Sequence, residues 1–288
     1  MADKKDVLAE AISALTAQLS RGTKPLRFFD DDISAKAFVY DVENGQLRSV
    51  ERVVAPDFSM LVGIDRTKTT LLKNNYQFAA GHSANNALLW GARGMGKSTL
   101  VKAIHNQTII EYGKSAPNLI EIHREDISAL PQLLATLRQS KKQFVIFCDD
   151  LSFNQPDRDF KALKSVLEGG LEGRPDNVIF YATSNRRHLL PREMADQETA
   201  IGIHPNESMD ETIALSDRFG LWLGFHAADQ AEYIAMIKGY MNHFKLIANH
   251  DWEAEALEWS KTRGNRSGRT AWQYVNNLAG KLERRISF

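Results

Sequence analysis

Gly91-Ala-Arg-Gly-Met-Gly96-Lys97-Ser98 is the stretch on which the fold turns. It fits G-x-x-x-x-G-K-S/T, follows directly on the apolar run Ala87 to Trp90, and opens a helical stretch that lasts to Ile110. A strand, a glycine loop and a helix start in that order make a phosphate cradle for a physical reason. Glycines let the loop curl until backbone N–H groups point at one centre, and the helix dipole adds positive potential there. A lysine closing such a loop reaches the terminal phosphates, and the next hydroxyl is a ligand for magnesium. Gly91, Ala92, Arg93, Gly94, Met95, Gly96, Lys97, Ser98 and Thr99 are therefore candidate nucleotide contacts, with Ser98 also a candidate metal ligand. The alternative is a glycine loop with no ligand, in which Arg93 and Met95 are filler.

Outward from the loop, apolar runs recur at Leu119 to Ile122, Phe144 to Cys148, Val178 to Tyr181 and Leu221 to Phe225, separated by helix-like stretches. Alternation of this kind predicts a parallel sheet with helices on both faces, and runs that are apolar throughout belong to strands buried on both sides. Beyond Phe225 only helical spacing remains, starting near Asp229, Asp251 and Ser267, which predicts a helical C-terminal subdomain. Before the core, Val7, Leu8, Ala11, Ile12, Leu15 and Leu19 share one helical face, and Asn44-Gly45 marks a hairpin or irregular element between Phe28 and Phe58, downstream of the triplet Asp30 to Asp32.

Phe144 to Cys148 runs into Asp149-Asp150, so two carboxylates fall at the strand edge where parallel sheets bind ligands. Asp149 is the candidate magnesium holder, acting through a bound water, and Asp150 the candidate base for an attacking water, unless the pair only caps the next helix. The strand from Val178 ends near Asn185-Arg186-Arg187, which places an amide at the same edge to orient water or sense phosphate, or merely to form a turn. No guanine-reading Asn-Lys-x-Asp segment follows a late strand, which argues against a GTPase.

The 288 residues suffice for two structural units, or one domain with an appendage, and bury roughly three quarters of the unfolded surface without staples. Lys+Arg and Asp+Glu both number 36, so no whole-molecule field draws in nucleic acid or acidic lipid. The single cysteine, Cys148, lies in an apolar run and reads as packing, which points to a reducing, cytoplasmic setting. No apolar run nears the ~20 residues of a membrane span, and the start of the chain lacks a signal-peptide core.

These residues resemble an AAA+ ATPase from about Met60 to the C-terminus. More narrowly, the chain is similar to a domain-of-unknown-function family of bacterial AAA+ ATP-binding proteins. The narrower likeness rests on Asn85 to Gly94, Cys148 to Phe153, Leu167 to Glu172, Ala182 to His188 and Leu215 to Gly220. It implies a three-layer αβα sandwich around a parallel five-stranded sheet, with an extension at 1–59, a nucleotide-binding core at 60–226 and a helical lid at 227–288. It further implies ATP and Mg²⁺ as cofactors, Val62 and Gly63 against adenine, and Arg218 as an arginine finger completing a neighbouring subunit's site in a homo-oligomer, against the alternative of a surface pair with Asp217. Arg269 is the expected second sensor on the lid, with Arg266 in reserve. Asp150 departs from the glutamate of many members, and the shorter acid points to slow, switch-like hydrolysis. The client is an unidentified protein or nucleic acid. The alternative is a slowly hydrolysing or non-catalytic, helicase-loader-like adaptor. Arg263, Arg266 and Arg269 near Trp272, with Lys281, Arg284 and Arg285 at the end, are a basic cluster for nucleic acid or plain solvated helix faces, and the acidic stretch 193–211, with His204 inside it, is a partner-facing loop or a plain solvated one.

Overall fold

A computed structural model describes residues 35–153, 157–169, 173–187, 189, 215 and 217–288. The N-terminal helix, Asp30 to Asp32, His188, the stretch 193–211 and the part of the resemblance at 170–172 lie outside the described residues.

Among the described residues, seven strands form one sheet. They are β1 (Ala37–Asp41), β2 (Gln46–Val50), β3 (Ala87–Gly91), β4 (Asn118–Glu121), β5 (Phe144–Cys148), β6 (Val178–Ser184) and β7 (Leu221–Phe225). Their order is β2-β1-β4-β5-β6-β3-β7, parallel except between β1 and β2. The expected five strands are therefore β3 to β7, and the count of five is corrected to seven. The reason is local. Ala37–Asp41 is apolar enough to bury Phe38 and Tyr40, so it pairs in parallel with β4, and the turn at Asn44-Gly45 folds β2 back along it. Asp41 accepts from the Asn44 backbone and side chain, and Gly45 sits at φ 60°, so this turn is built from its own residues.

Alternate side chains of the strands serve two cores. Leu89, Val145, Phe147, Ile179 and Phe225 face α1 (Asp65–Ala79) and α2 (Lys97–Tyr112), while Leu88, Phe144, Ile146, Phe180 and Ala182 face α3 (Leu130–Leu137) and α4 (Arg158–Glu168). That is the three-layer sandwich, and burying each of the Leu, Val, Ile and Phe side chains is worth about 1.5–3 kcal/mol. β5 and β6 are buried along their whole length, as central strands covered on both faces must be.

The lid is α5 (Gln230–Phe244), α6 (Trp252–Thr262) and α7 (Gly268–Lys281). Each starts on a side-chain cap that satisfies an orphan backbone N–H. Asp229 forms a capping box with Glu232, Asp251 accepts from Ala254, and Ser267 accepts from Thr270. Tyr233, Ile237, Tyr274 and Val275 join the same core as α1 and α2, so the lid is continuous with that face of the sandwich. No helix among the described residues is long and apolar enough to cross a membrane.

Candidate nucleotide-binding site

The loop after β3 is shaped by contacts that only glycine permits. Gly91 has φ 127°, and a Cβ there would lie 2.0 Å from the Phe225 carbonyl oxygen of β7. That oxygen instead accepts from the Ala92 backbone N–H at 2.8 Å. Gly94 has φ 76°, and its missing Cβ makes room for Ser267 Oγ of the lid. The Gly94 carbonyl in turn accepts from the Arg269 backbone N–H at 3.0 Å, so the N-terminus of α7 is docked on the loop.

Lys97 is 7% exposed although it is a cation. Its Nζ donates to the carbonyls of Gly91 at 2.9 Å and Ala92 at 3.0 Å and to Asn185 Oδ1 at 3.0 Å. Burial pulls its pKa below the usual lysine value, Asp149 and Asp150 work the other way, and Arg93 and Arg269 reinforce the lowering.

Asp149 leaves the end of β5, and the register Cys148↔Ala182 sets it beside Thr183 of β6. Its Oδ1 accepts from Ser98 Oγ at 2.5 Å, from Thr183 Oγ1, and from the Asp150 N–H at 3.1 Å. Thr183 Oγ1 also accepts from that Asp150 N–H at 2.9 Å, so one hydroxyl braces both acids. Asp150 stands at φ 51°, in the left-handed region where Asn and Asp are enriched. Asn185 Nδ2 donates to Asp150 Oδ1 at 2.5 Å, so Asn185 links Lys97 to Asp150.

Around these groups lies a cavity of about 640 Å³, within the range of about 300–1,000 Å³ typical of ligand sites. Val62, Arg93, Gly94, Met95, Gly96, Lys97, Ser98, Thr99, Asp149, Asp150, Asn185 and Arg269 all line it. Gly91 and Ala92 stand behind it and present their carbonyls to Lys97. Gly63 packs beside Met236, which lines the wall. Arg218 is not in this cavity. It is exposed and pairs with Glu168 at 3.2 Å, where a pair with Asp217 was the alternative.

Away from the charges the wall is apolar, with Met60, Ile64, Met236, Tyr240 and Trp272, the last stacked on Phe288 at 4.0 Å. These residues and Thr183 were not legible as site residues. Trp272 reads as an ordinary apolar position on a helix, and only the docking of α7 on the loop brings it here. Thr183 carried one signal, a hydroxyl where the run from Val178 to Ala182 gives way to Thr183-Ser184, two residues before Asn185.

The donor set fits a magnesium nucleotide. A hydroxyl and a carboxylate side by side are hard oxygen ligands suited to Mg²⁺, and a buried lysine whose hydrogen-bond partners among the described residues are neutral oxygens keeps its charge available to phosphate.

Sheet, helices and loop together make a fold of the AAA+ P-loop type. Solved structures share the fold: the Holliday junction branch migration motor RuvB of Thermotoga maritima has a TM-score of 0.53 at 15% identity, covering 82% of this chain and 70% of that one. The Aeropyrum pernix ORC1 protein in complex with DNA gives 0.54 at 12% identity, covering 82% and 67%. The FIGL-1 AAA domain in complex with ADP gives 0.51 at 13% identity, covering 79% and 74%. No curated protein matches the sequence. Residues 33–282 match the family described as protein of unknown function (DUF815), and the chain belongs to that family.

Proposed function

We propose that the protein is a magnesium-dependent ATPase that couples slow ATP hydrolysis to a conformational change in a partner macromolecule. The observation that carries this reading is the convergence of Lys97, Ser98, Asp149, Asp150 and Asn185 on one wall of the cavity beside the glycine loop. Loop N–H groups and Lys97 bind the phosphates, and Ser98 and Asp149 hold the metal, Asp149 through a water. When bound, Mg²⁺ supplies charge neutralisation at the phosphoryl oxygens. Asp150 accepts the proton of the attacking water and Asn185 orients it, while Arg269 contacts the phosphates from the lid. The apolar wall beside Val62, with Gly63 behind it, receives adenine. The FIGL-1 AAA domain, which shares the fold, is in complex with ADP, and this supports nucleotide binding. The ranges 60–226 and 227–288 serve as nucleotide core and lid, and within the extension 1–59 the strands β1 and β2 join the core's sheet. The single buried cysteine, Cys148, whose thiol is pushed up by burial, fits a reducing cytoplasmic setting.

Arg218, exposed and outside its own cavity, acts in trans in a homo-oligomer. Slow turnover follows from Asp150, whose short carboxylate is already held by Asn185. Two variants test the reading. Asp150→Asn keeps the short side chain and is expected to bind ATP while losing about 10²–10⁴-fold in hydrolysis, the usual worth of a general base. Arg218→Ala is expected to abolish any rise of specific activity with protein concentration, followed alongside light-scattering mass. Undiminished hydrolysis in Asp150→Asn would remove that acid from the reaction.

A further inference from the structure

Beside the nucleotide cavity a second, more open groove of about 600 Å³ runs along the C-terminal edge of β3, β6 and β7. Arg93, Arg186 and Arg187 line it together with Trp90, Asn185 and His226, and no carboxylate does so among the described residues. In a chain whose formal charge is zero, three guanidinium groups without an acid are a local excess of one sign. None of the three forms an ion pair with a carboxylate among the described residues. Arg187 is held in place without one: its guanidinium lies over Trp90 at 5.3 Å and Trp222 at 5.7 Å. A cation fixed by ring faces keeps its N–H donors for an anion. His226 is exposed and meets Trp90 edge-on at 6.0 Å, so aromatic surface alternates with charge along the groove.

We propose that this groove binds single-stranded nucleic acid, with the arginines on backbone phosphates and His226 and the Trp90 edge against bases. Regularly charged backbones with flat unpaired bases match alternating guanidinium and aromatic groups, whereas an acidic peptide would use the charge alone. The groove shares Asn185 and Arg93 with the nucleotide cavity, and Arg187 follows Asn185 by two residues. A strand seated on Arg187 therefore pulls on the segment that links Lys97 to Asp150. The inference supplies the partner that the ATPase reading leaves open. Its test uses no nucleotide, so either can fail alone.

The test is anisotropy of a fluorescein-labelled 20-residue oligo-dT with the full chain at 50–200 mM NaCl. Three arginine–phosphate contacts on a single strand give a log–log salt slope of about −2, or about 20-fold weaker binding across that range. Arg186→Ala with Arg187→Ala should weaken binding at least about tenfold at 50 mM and reduce the slope to about −0.7, the share of one contact, with an unchanged melting temperature. His226→Ala should weaken binding without altering the slope. The proposal is overturned by no binding at 50 mM, by an unaltered slope in the double variant, or by loss of binding on changing Lys281, Arg284 and Arg285 instead. Equal competition by poly-glutamate would also overturn it, in favour of an acidic peptide.

Discussion

Replacing Thr183 by valine removes one hydroxyl and almost no volume, from a side chain that is 1% exposed. That hydroxyl donates to Asp149 Oδ1 and accepts from the Asp150 N–H. Asp149 keeps Ser98 and the Asp150 N–H as donors, and the Asp150 N–H keeps Asp149 as acceptor, so neither partner is orphaned. The stability cost is then at the low end of the range for a broken buried hydrogen bond, about 1–1.5 kcal/mol, or roughly 2–6 °C in melting temperature. The functional cost is larger, because the bracing of both acids is lost together. Groups that orient a metal ligand from behind are worth about 10–100-fold in metal affinity or activity. Thr183→Val is therefore expected to raise the magnesium concentration for half-maximal ATP hydrolysis, or lower the maximal rate, by that factor, and Thr183→Ser to restore both. Magnesium titrations of steady-state hydrolysis, paired with thermal melts, separate the two effects. A valine variant that melts lower yet hydrolyses with unaltered magnesium dependence and maximal rate would refute the assignment of Asp149 and Asp150 as the metal and base pair.

At the entry to the loop, Gly91→Ala meets the Phe225 carbonyl at 2.0 Å and a φ of 127°, so it should displace the loop and abolish nucleotide binding, with a fall in melting temperature of several degrees. Retained binding in that variant would show that the loop tolerates the displacement. His105 on α2 is buried, its Nε2 lacks a hydrogen-bond partner among the described residues, and burial, aided by Lys36, holds its pKa down to about 4. A depressed histidine contributes stability that is complete above the unfolded value of about 6.5 and drains away as pH falls toward 4, here about 3 kcal/mol. Urea unfolding at pH 7 and pH 4 should show that loss in the wild type and a smaller one in His105→Gln. Equal losses would assign the pH dependence to other groups.

How much of this was legible in the chain depends on how local the determinant is. The phosphate loop declares itself because glycine, lysine and serine must occur at fixed spacing for backbone amides to converge, and strands β3 to β7 declare themselves because burial on both faces requires unbroken apolar runs. The pairing of β1 with β4 was hidden. Its hairpin turn is written in Asn44-Gly45, but edge pairing is a tertiary choice that five residues do not encode. Asp149, Asp150 and Asn185 were found at strand ends, while Thr183 and the apolar wall at Met236, Tyr240 and Trp272 depend on strand register and on where the lid docks. Arg218 could be named only through the family likeness, because among the described residues its one ion-pair partner is Glu168.

The central claim is that Lys97 and the loop after β3 hold the phosphates of a magnesium nucleotide. Isothermal titration of ATP with and without Mg²⁺ into the wild-type chain and Lys97→Ala tests it most directly. One ATP per chain, tighter with Mg²⁺ and lost by at least about tenfold in Lys97→Ala, is the result this account predicts, the loss of a charge-assisted contact being worth about 1.5–3 kcal/mol. Equal ATP affinity in both proteins, indifferent to Mg²⁺, would contradict it.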